Sequence, residues 1–211
     1  SNIGTSAIIN DLIKYTVQAR DGSTYAFGST GSIYAISGNI YDPVITFVYN
    51  DENGEIKGAS QWGVSATGHA SSVWLYWATN TSVARMGLDG SPDTPWGVAV
   101  VTQDHKTTLT GADQHPMKNA SGNLMIGNGN FVAMVDTQGA FNPEAMNLRP
   151  GNIVKCLEER DDYVLIGSER SDESEEGHIW SWITTALNWV QKKKIPVKGV
   201  NTLIDTENLL L

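Results

Sequence analysis

Asn123-Leu124-Met125-Ile126-Gly127-Asn128-Gly129-Asn130-Phe131-Val132-Ala133-Met134-Val135-Asp136 reads as two short apolar strands joined by a Gly/Asn turn. The same pattern recurs on both sides of it. Upstream, Ser23-Thr24-Tyr25-Ala26-Phe27 leads through 28–31 into Ser32-Ile33-Tyr34-Ala35-Ile36. Val73-Trp74-Leu75-Tyr76-Trp77 likewise leads past Asn80 into Val83-Ala84-Arg85-Met86. Downstream, Tyr163-Val164-Leu165-Ile166-Gly167 is separated by an acidic stretch from His178-Ile179-Trp180-Ser181-Trp182, and Asn208-Leu209-Leu210-Leu211 opens another copy. With Tyr25, Leu75, Leu124, Val164 and Leu209 as equivalent positions, the copies lie 50, 49, 40 and 45 residues apart.

A period of about 40 to 50 residues, with one hairpin per copy, is the signature of a propeller blade. Further strands are expected around each hairpin. Ile8-Ile9-Asn10-Asp11-Leu12-Ile13-Lys14-Tyr15, Ile153-Val154-Lys155-Cys156-Leu157 and Val200-Asn201-Thr202-Leu203-Ile204 precede it as inner strands, and Asn188-Trp189-Val190-Gln191 follows it as an outer one. Both faces of the hairpin strands are apolar, as suits sheets packed between two others. The expected fold is therefore all-β, a β-propeller-like array of four-stranded antiparallel blades. It comprises four complete repeats, approximately 8–60, 61–112, 113–150 and 151–199, and a partial fifth, 200–211. Together they form a single domain over 1–211, read as a fragment or the ordered part of a longer chain; the competing expectation pairs the terminal strands with the first blade.

Bulk properties agree with this class. Among 211 residues, 40% hydrophobic content is enough for a core, and 21 glycines with 7 tryptophans suit many tight turns around an aromatic interior. A net charge of -9 and a pI near 4.8 argue against gripping nucleic acid by bulk electrostatics. No stretch approaches the ~20 apolar residues of a membrane span, so no membrane insertion is expected. Ser1-Asn2-Ile3-Gly4 has neither the basic nor the apolar region of a secretion signal. The lone Cys156 excludes a disulfide within the chain and reads as a small buried thiol in a strand.

Candidate sites each have a plainer reading. Asp172-Glu173-Ser174-Glu175-Glu176 offers carboxylates to a cation but lacks the ligand spacing of a calcium loop, so it reads as a solvated turn, as does Asp51-Glu52-Asn53-Gly54-Glu55. In the latter, Asn53-Gly54 reads as a hairpin turn between Val44-Ile45-Thr46-Phe47-Val48 and Ile56. Lys192-Lys193-Lys194 suits a protected edge strand. His69, His105, His115 and His178 have no zinc-type spacing; a cluster of His105 and His115 with Asp104 or Asp113 is the one metal arrangement folding could assemble, and His115-Pro116 reads instead as a turn entering a strand. Ser91-Pro92-Asp93-Thr94-Pro95-Trp96 only faintly resembles an aspartate box. Trp62, Trp74, Trp77, Trp96, Trp180, Trp182 and Trp189 could stack sugars, but packing between blades is the default reading. No catalytic, cofactor or metal residue is assigned.

The stretch Leu124 to Ala133, then Phe141 and Leu148, then Ile153 to Gly167 with Ile179-Trp180, resembles a recurrent pattern in β-propeller-type virion or tail-associated structural proteins of tailed phages and metagenomic viruses. The resemblance spans roughly 8–211 without the Gly-His and Trp-Asp signatures of WD repeats or the double glycine of kelch blades. It implies a non-enzymatic virion component, tail- or capsid-associated, located in the particle and part of a larger assembly. Its partners would be other virion proteins or a host-surface ligand. Two alternatives stand beside it: a propeller-fold glycoside hydrolase or lyase, which needs carboxylates converging in a concavity, and a cellular peptide-binding scaffold. Contacts are expected from rim loops, including 87–119 and 168–177, because the strands are consumed by packing.

Overall fold

In the computed structural model, the described residues are 9–19, 22–64, 72–88, 109–137, 139–172, 175–183, 185 and 189–204. They contain fifteen strands in four antiparallel sheets and no helix. Contacts divide the chain into two compact units, Ser1–Thr108 and Leu109–Leu211.

In the first unit, β1 (Ile13–Gln18), β2 (Thr24–Gly28), β3 (Ser32–Asn39) and β4 (Asp42–Asn50) form one meander. The second sheet holds β5 (Gly58–Val64), β6 (Ser72–Ala78) and β7 (Val83–Leu88). Three strands are thus seen among the described residues where four were expected, and 89–108 of that repeat lie outside them. The core is built from Tyr25, Phe27 and Ile33 of the first sheet against Leu75, Trp77, Met86 and Leu88 of the second.

In the second unit, β8 (Met117–Ala120), β9 (Asn123–Asn128), β10 (Phe131–Val135) and β11 (Phe141–Asn147) make one sheet. β12 (Asn152–Arg160), β13 (Tyr163–Arg170), β14 (Gly177–Trp182) and β15 (Gln191–Ile195) make the other. Its core joins Met125, Val132 and Met146 to Leu157, Val164, Ile166, Trp180 and Trp182. All four expected hairpins are present: β2–β3, β6–β7, β9–β10 and β13–β14. The turn from β9 into β10 has two residues, with Gly129 at φ +61° in the first position, where a side chain would be strained.

The second strand of each sheet carries the repeat's most constrained position. Tyr25-Ala26-Phe27-Gly28, Leu75-Tyr76-Trp77-Ala78, Leu124-Met125-Ile126-Gly127 and Val164-Leu165-Ile166-Gly167 all end in a small residue. At three of these ends the space is taken by a neighbouring segment. A Cβ on Gly28 would strike the Asp11 carboxylate, on Gly127 the Pro116 ring and Val154, and on Gly167 the Cys156 sulfur and Val200 carbonyl.

Several expectations need correcting. The boundary at residue 60 falls inside β5, because Gly58 already pairs with Ala78. The outer strand of the last sheet is Gln191–Ile195, not 188–191. Asn53-Gly54 is no hairpin turn: β4 pairs with β3 and β5 with β6, so the turn links two sheets. Of the partial fifth repeat, 200–204 form no strand and 205–211 lie outside the described residues; Gly199 makes a single bridge to Glu169.

Candidate binding cavity

A cavity of about 400 Å³ opens at one rim of the Leu109–Leu211 unit. Four stretches line it: Thr110 to Gln114 ahead of β8, the Gly129-Asn130 turn, Gly151 to Ile153 with Lys155 on β12, and Glu169 and Ser171 at the end of β13. Two of these stretches fall within the rim loops 87–119 and 168–177 singled out from the sequence. The other two were missed. Their signal was the repeat itself, since each hairpin turn and each entry into an inner strand share a rim.

Hydrogen bonds fix the frame. Asn128 is buried; its Oδ1 accepts from the Thr110 N–H at 2.5 Å and its Nδ2 donates to the Pro143 carbonyl at 2.8 Å. Gln114 Nε2 donates to the Lys155 carbonyl at 2.8 Å, the Val154 N–H donates to the Gly129 carbonyl at 2.8 Å, and the Ser171 N–H to the Gly151 carbonyl at 3.0 Å. Lys155 Nζ and Glu169 Oε1 form an ion pair at 3.2 Å. Asn152 is 3% exposed, with Nδ2 donating to the carbonyls of Leu148 and Arg149 at 3.3 Å each; its Oδ1 is buried with no partner among the described residues. No aromatic ring lines the cavity. The wall thus offers many donors and acceptors but no stacking surface.

The remaining candidates are dispersed. Asp104, His105, His69 and the Ser91–Trp96 stretch lie outside the described residues. His115 is buried, its Nδ1 2.8 Å from the Gly127 carbonyl, and Pro116 immediately precedes β8. Among the described residues no group of metal-ligating side chains forms. Within the acidic run, Asp172 pairs with Arg170 and Glu176 with Lys194, while Glu173 and Ser174 are not described. Asp51 corrects the solvated-turn reading of 51–55: it is 1% exposed, and its carboxylate accepts from Trp77 Nε1 at 2.7 Å, Asn53 N–H at 2.9 Å and Asn53 Nδ2 at 2.7 Å. Cys156 lies half-buried on β12 with Sγ donating to the Val200 carbonyl at 3.2 Å; burial pushes its pKa up to about 11, so the reactive thiolate is disfavoured. Trp62, Trp77, Trp180 and Trp182 are buried, and Trp180 Nε1 donates to Ser168 Oγ at 2.8 Å. Lys192 to Lys194 sit on β15, an edge strand.

A second surface is apolar and exposed. The β3–β4 turn presents Ile40 and Tyr41, 85% and 92% exposed, and the edge strand β4 continues it with Val44 and Phe47. Asn39 Oδ1 holds the tip by accepting from the N–H groups of Tyr41 and Asp42. No helix among the described residues is long and apolar enough to cross a membrane.

No family model and no curated protein matches the sequence. Solved structures match by fold. The WD40 β-propeller domain of Doa1 aligns with TM-score 0.56 and 13% identity over 87% of this chain and 54% of that one. A chain of the Mitotic Checkpoint Complex gives 0.58 and 14% over 88% and 53%. Hydrazine synthase of Kuenenia stuttgartiensis gives 0.64 and 11% over 93% and 53%. This chain therefore spans about half the length of these three structures. With its repeated antiparallel sheets, the chain has a β-propeller fold.

Proposed function

We propose that the chain is a non-catalytic docking module whose rim cavity receives a segment of a partner polypeptide. The lining of that cavity carries the reading. An extended segment presents alternating N–H and C=O groups, and the wall answers with the amides and hydroxyls of Thr110, Gln114, Asn130 and Ser171. The cavity's volume lies within the range of about 300–1,000 Å³ common for ligand sites. The resemblance noted in the sequence adds a finer proposal, that the partner is a neighbouring virion protein or a host-surface ligand.

A photo-crosslinking residue at Asn130, in the cavity lining, tests the docking role in the native source, with Tyr163, at the end of β13 away from Glu169, as control. Crosslinks to a defined polypeptide from Asn130 alone are expected. Equal crosslinking from both positions, or none, ends the reading.

A hydrolase or lyase remains the second reading because two carboxylates, Asp113 and Glu169, line the same concavity. Against it, Glu169 is held by Lys155 and no aromatic ring is present to stack a sugar. Turnover of an oligosaccharide panel, abolished by Glu169→Gln, would reverse the preference.

A further inference from the structure

We infer that the β15 edge of the last sheet carries a second contact surface, built from Arg149, Lys192 and the Trp180–Trp189 pair, that takes an acidic polypeptide segment. It is separate from the rim cavity and does not rest on the docking reading above, whose Asn130 crosslink reads the cavity alone.

The first observation is geometric. Pairing of β14 with β15 sets Lys192 opposite Trp180, and Lys192 Nζ lies 4.6 Å from the centroid of that ring. Trp189 packs edge-on against the same indole, centroids 5.2 Å apart, and the Arg149 guanidinium covers this second ring at 5.1 Å. Arg149 belongs to the turn between β11 and β12, so cations from two separate segments converge on one aromatic pair. Its backbone is pinned on both sides, the N–H donating to Asn147 Oδ1 at 2.7 Å and the carbonyl accepting from Asn152 Nδ2 at 3.3 Å, at a φ of +79° that a non-glycine residue rarely adopts. Protection of an edge strand explains lysines on β15; it does not explain an arginine brought to the same rings from another turn. Trp180 is buried and Trp189 half-buried, whereas Arg149 and Lys192 are exposed, so the rings form a floor and the cations are what a ligand meets.

The second observation is charge. Burial lowers the pKa of Lys192 from its usual value, and Arg149, Arg170 and Lys194 lower it further while Glu176 opposes them. Asp172 pairs with Arg170 and Glu176 with Lys194, so carboxylates of the β13–β14 turn neutralise two of these four cations. Arg149 and Lys192 form no ion pair among the described residues. A ring contact uses the face of the aromatic and leaves further N–H donors on each cation for an anion.

The occupant follows from this pattern. Carboxylates already serve as the counter-ions of the neighbouring cations, in Asp172 and Glu176. The two unmatched cations sit on different rings, which suits carboxylates spaced along a segment better than one small anion. A net charge of -9 repels a long polyanion such as nucleic acid, while a short acidic segment responds chiefly to charges within a Debye length of about 8 Å.

The test is a nuclear magnetic resonance titration of the full chain with acetyl-Gly-Asp-Glu-Glu-Gly-amide and with its Asn-Gln-Gln counterpart, read at the Trp189 indole and the Lys192 backbone amide. The acidic peptide is expected to bind about tenfold more tightly, through charge-assisted hydrogen bonds. Arg149→Asn, which places a residue tolerant of positive φ there, and Lys192→Gln should each weaken it about threefold, and the double variant should erase the preference. Lys192→Arg should retain binding, and Lys193→Gln, on the opposite face of β15, should leave it unchanged.

Equal binding of the two peptides overturns the inference, as does a preference that survives in the double variant or falls equally with Lys193→Gln. Inorganic phosphate or a short oligothymidylate that shifts the same signals at least as tightly as the acidic peptide also overturns it, because the surface is then a phosphate site.

Discussion

Asp51 and Trp77 lie 26 positions apart in sequence, yet they share a buried hydrogen bond of 2.7 Å that ties the turn after β4 to the strand β6. Removing the carboxylate strands the indole N–H in a dry interior, a loss of about 1–3 kcal/mol. Asp51→Ala should therefore lower unfolding stability in urea by about 2 kcal/mol, and Asp51→Asn, which keeps an acceptor, by less. An equal effect of the two would show that the hydrogen bond is not what holds the turn. The glycines Gly28, Gly127 and Gly167, which close the apolar runs of the second strands, behave differently, because they are required for space. Gly127→Ala puts a methyl group into Pro116 and Val154 and is expected to cost about 1–3 kcal/mol, whereas Gly54→Ala meets nothing within 4 Å and is limited to the strain of φ +92°. The small residue is visible in the sequence as the one that follows each repeat's apolar run. The burial of Asp51 is not, since Asp-Glu-Asn-Gly has the composition of a solvated turn and only the tertiary approach of Trp77 changes its meaning.

Among the elements, two of the edge strands, β4 and β15, invite opposite outcomes. Gln191-Lys192-Lys193-Lys194-Ile195 carries charge that discourages pairing with another sheet, and Lys192 and Lys194 are also engaged, the first 4.6 Å above the Trp180 ring and the second with Glu176. Lys193 has neither role, so Lys193→Val should leave thermal stability nearly unchanged but raise concentration-dependent scattering. β4 lacks such protection: Asp42 is its lone charge, and Tyr41, Val44 and Phe47 lie open to solvent. Replacing Tyr41 and Phe47 with serine and threonine should reduce self-association in light scattering, with a stability change within about 0.5 kcal/mol at the fully open Tyr41 and a larger loss at Phe47, whose ring packs edge-on against Tyr34. The same contrast explains what could be read from sequence. Central hairpin strands were legible because both faces are apolar and a turn follows at once. Of the outer strands, Val44–Val48 was legible, whereas Gln191–Ile195 has a single apolar residue and the short alternation of Phe141–Asn147 is masked by Pro143, a residue that argues against a strand. The cavity was half legible: loops could be expected to carry it, but not the amide of Asn152, which looks like any other polar residue at the start of a strand.

Across the whole chain, two cores in two compact units imply that acid stress need not act on both alike. In Ser1–Thr108, Asp11 is pushed up by burial, but hydrogen bonds from the Thr30 hydroxyl, the Ser29 hydroxyl, the Thr30 N–H and the Leu12 backbone outweigh this and hold it at about 2. Its contribution is complete above 3.8 and lost only as pH falls from there toward about 2. In Leu109–Leu211, His178 sits near-fully buried on β14, its Nδ1 without a hydrogen-bond partner among the described residues; burial lowers its pKa from 6.5, and Lys192 adds to the lowering. Arg170 and Lys194 act in the same direction while Glu176 opposes them. With the folded value depressed, the unfolded chain takes up the proton first, so stability present above pH 6.5 is lost as pH falls below it. Between pH 7 and 5 the full chain should therefore lose amide protection first in β13 to β15, while β1 to β3 keep theirs. Hydrogen exchange with mass detection resolves the two. His178→Gln should flatten the response of the second unit without altering the first. A loss of protection that begins in β1 to β3, or that persists in the variant, would place the acid-sensitive group somewhere other than the Trp180 side of β14.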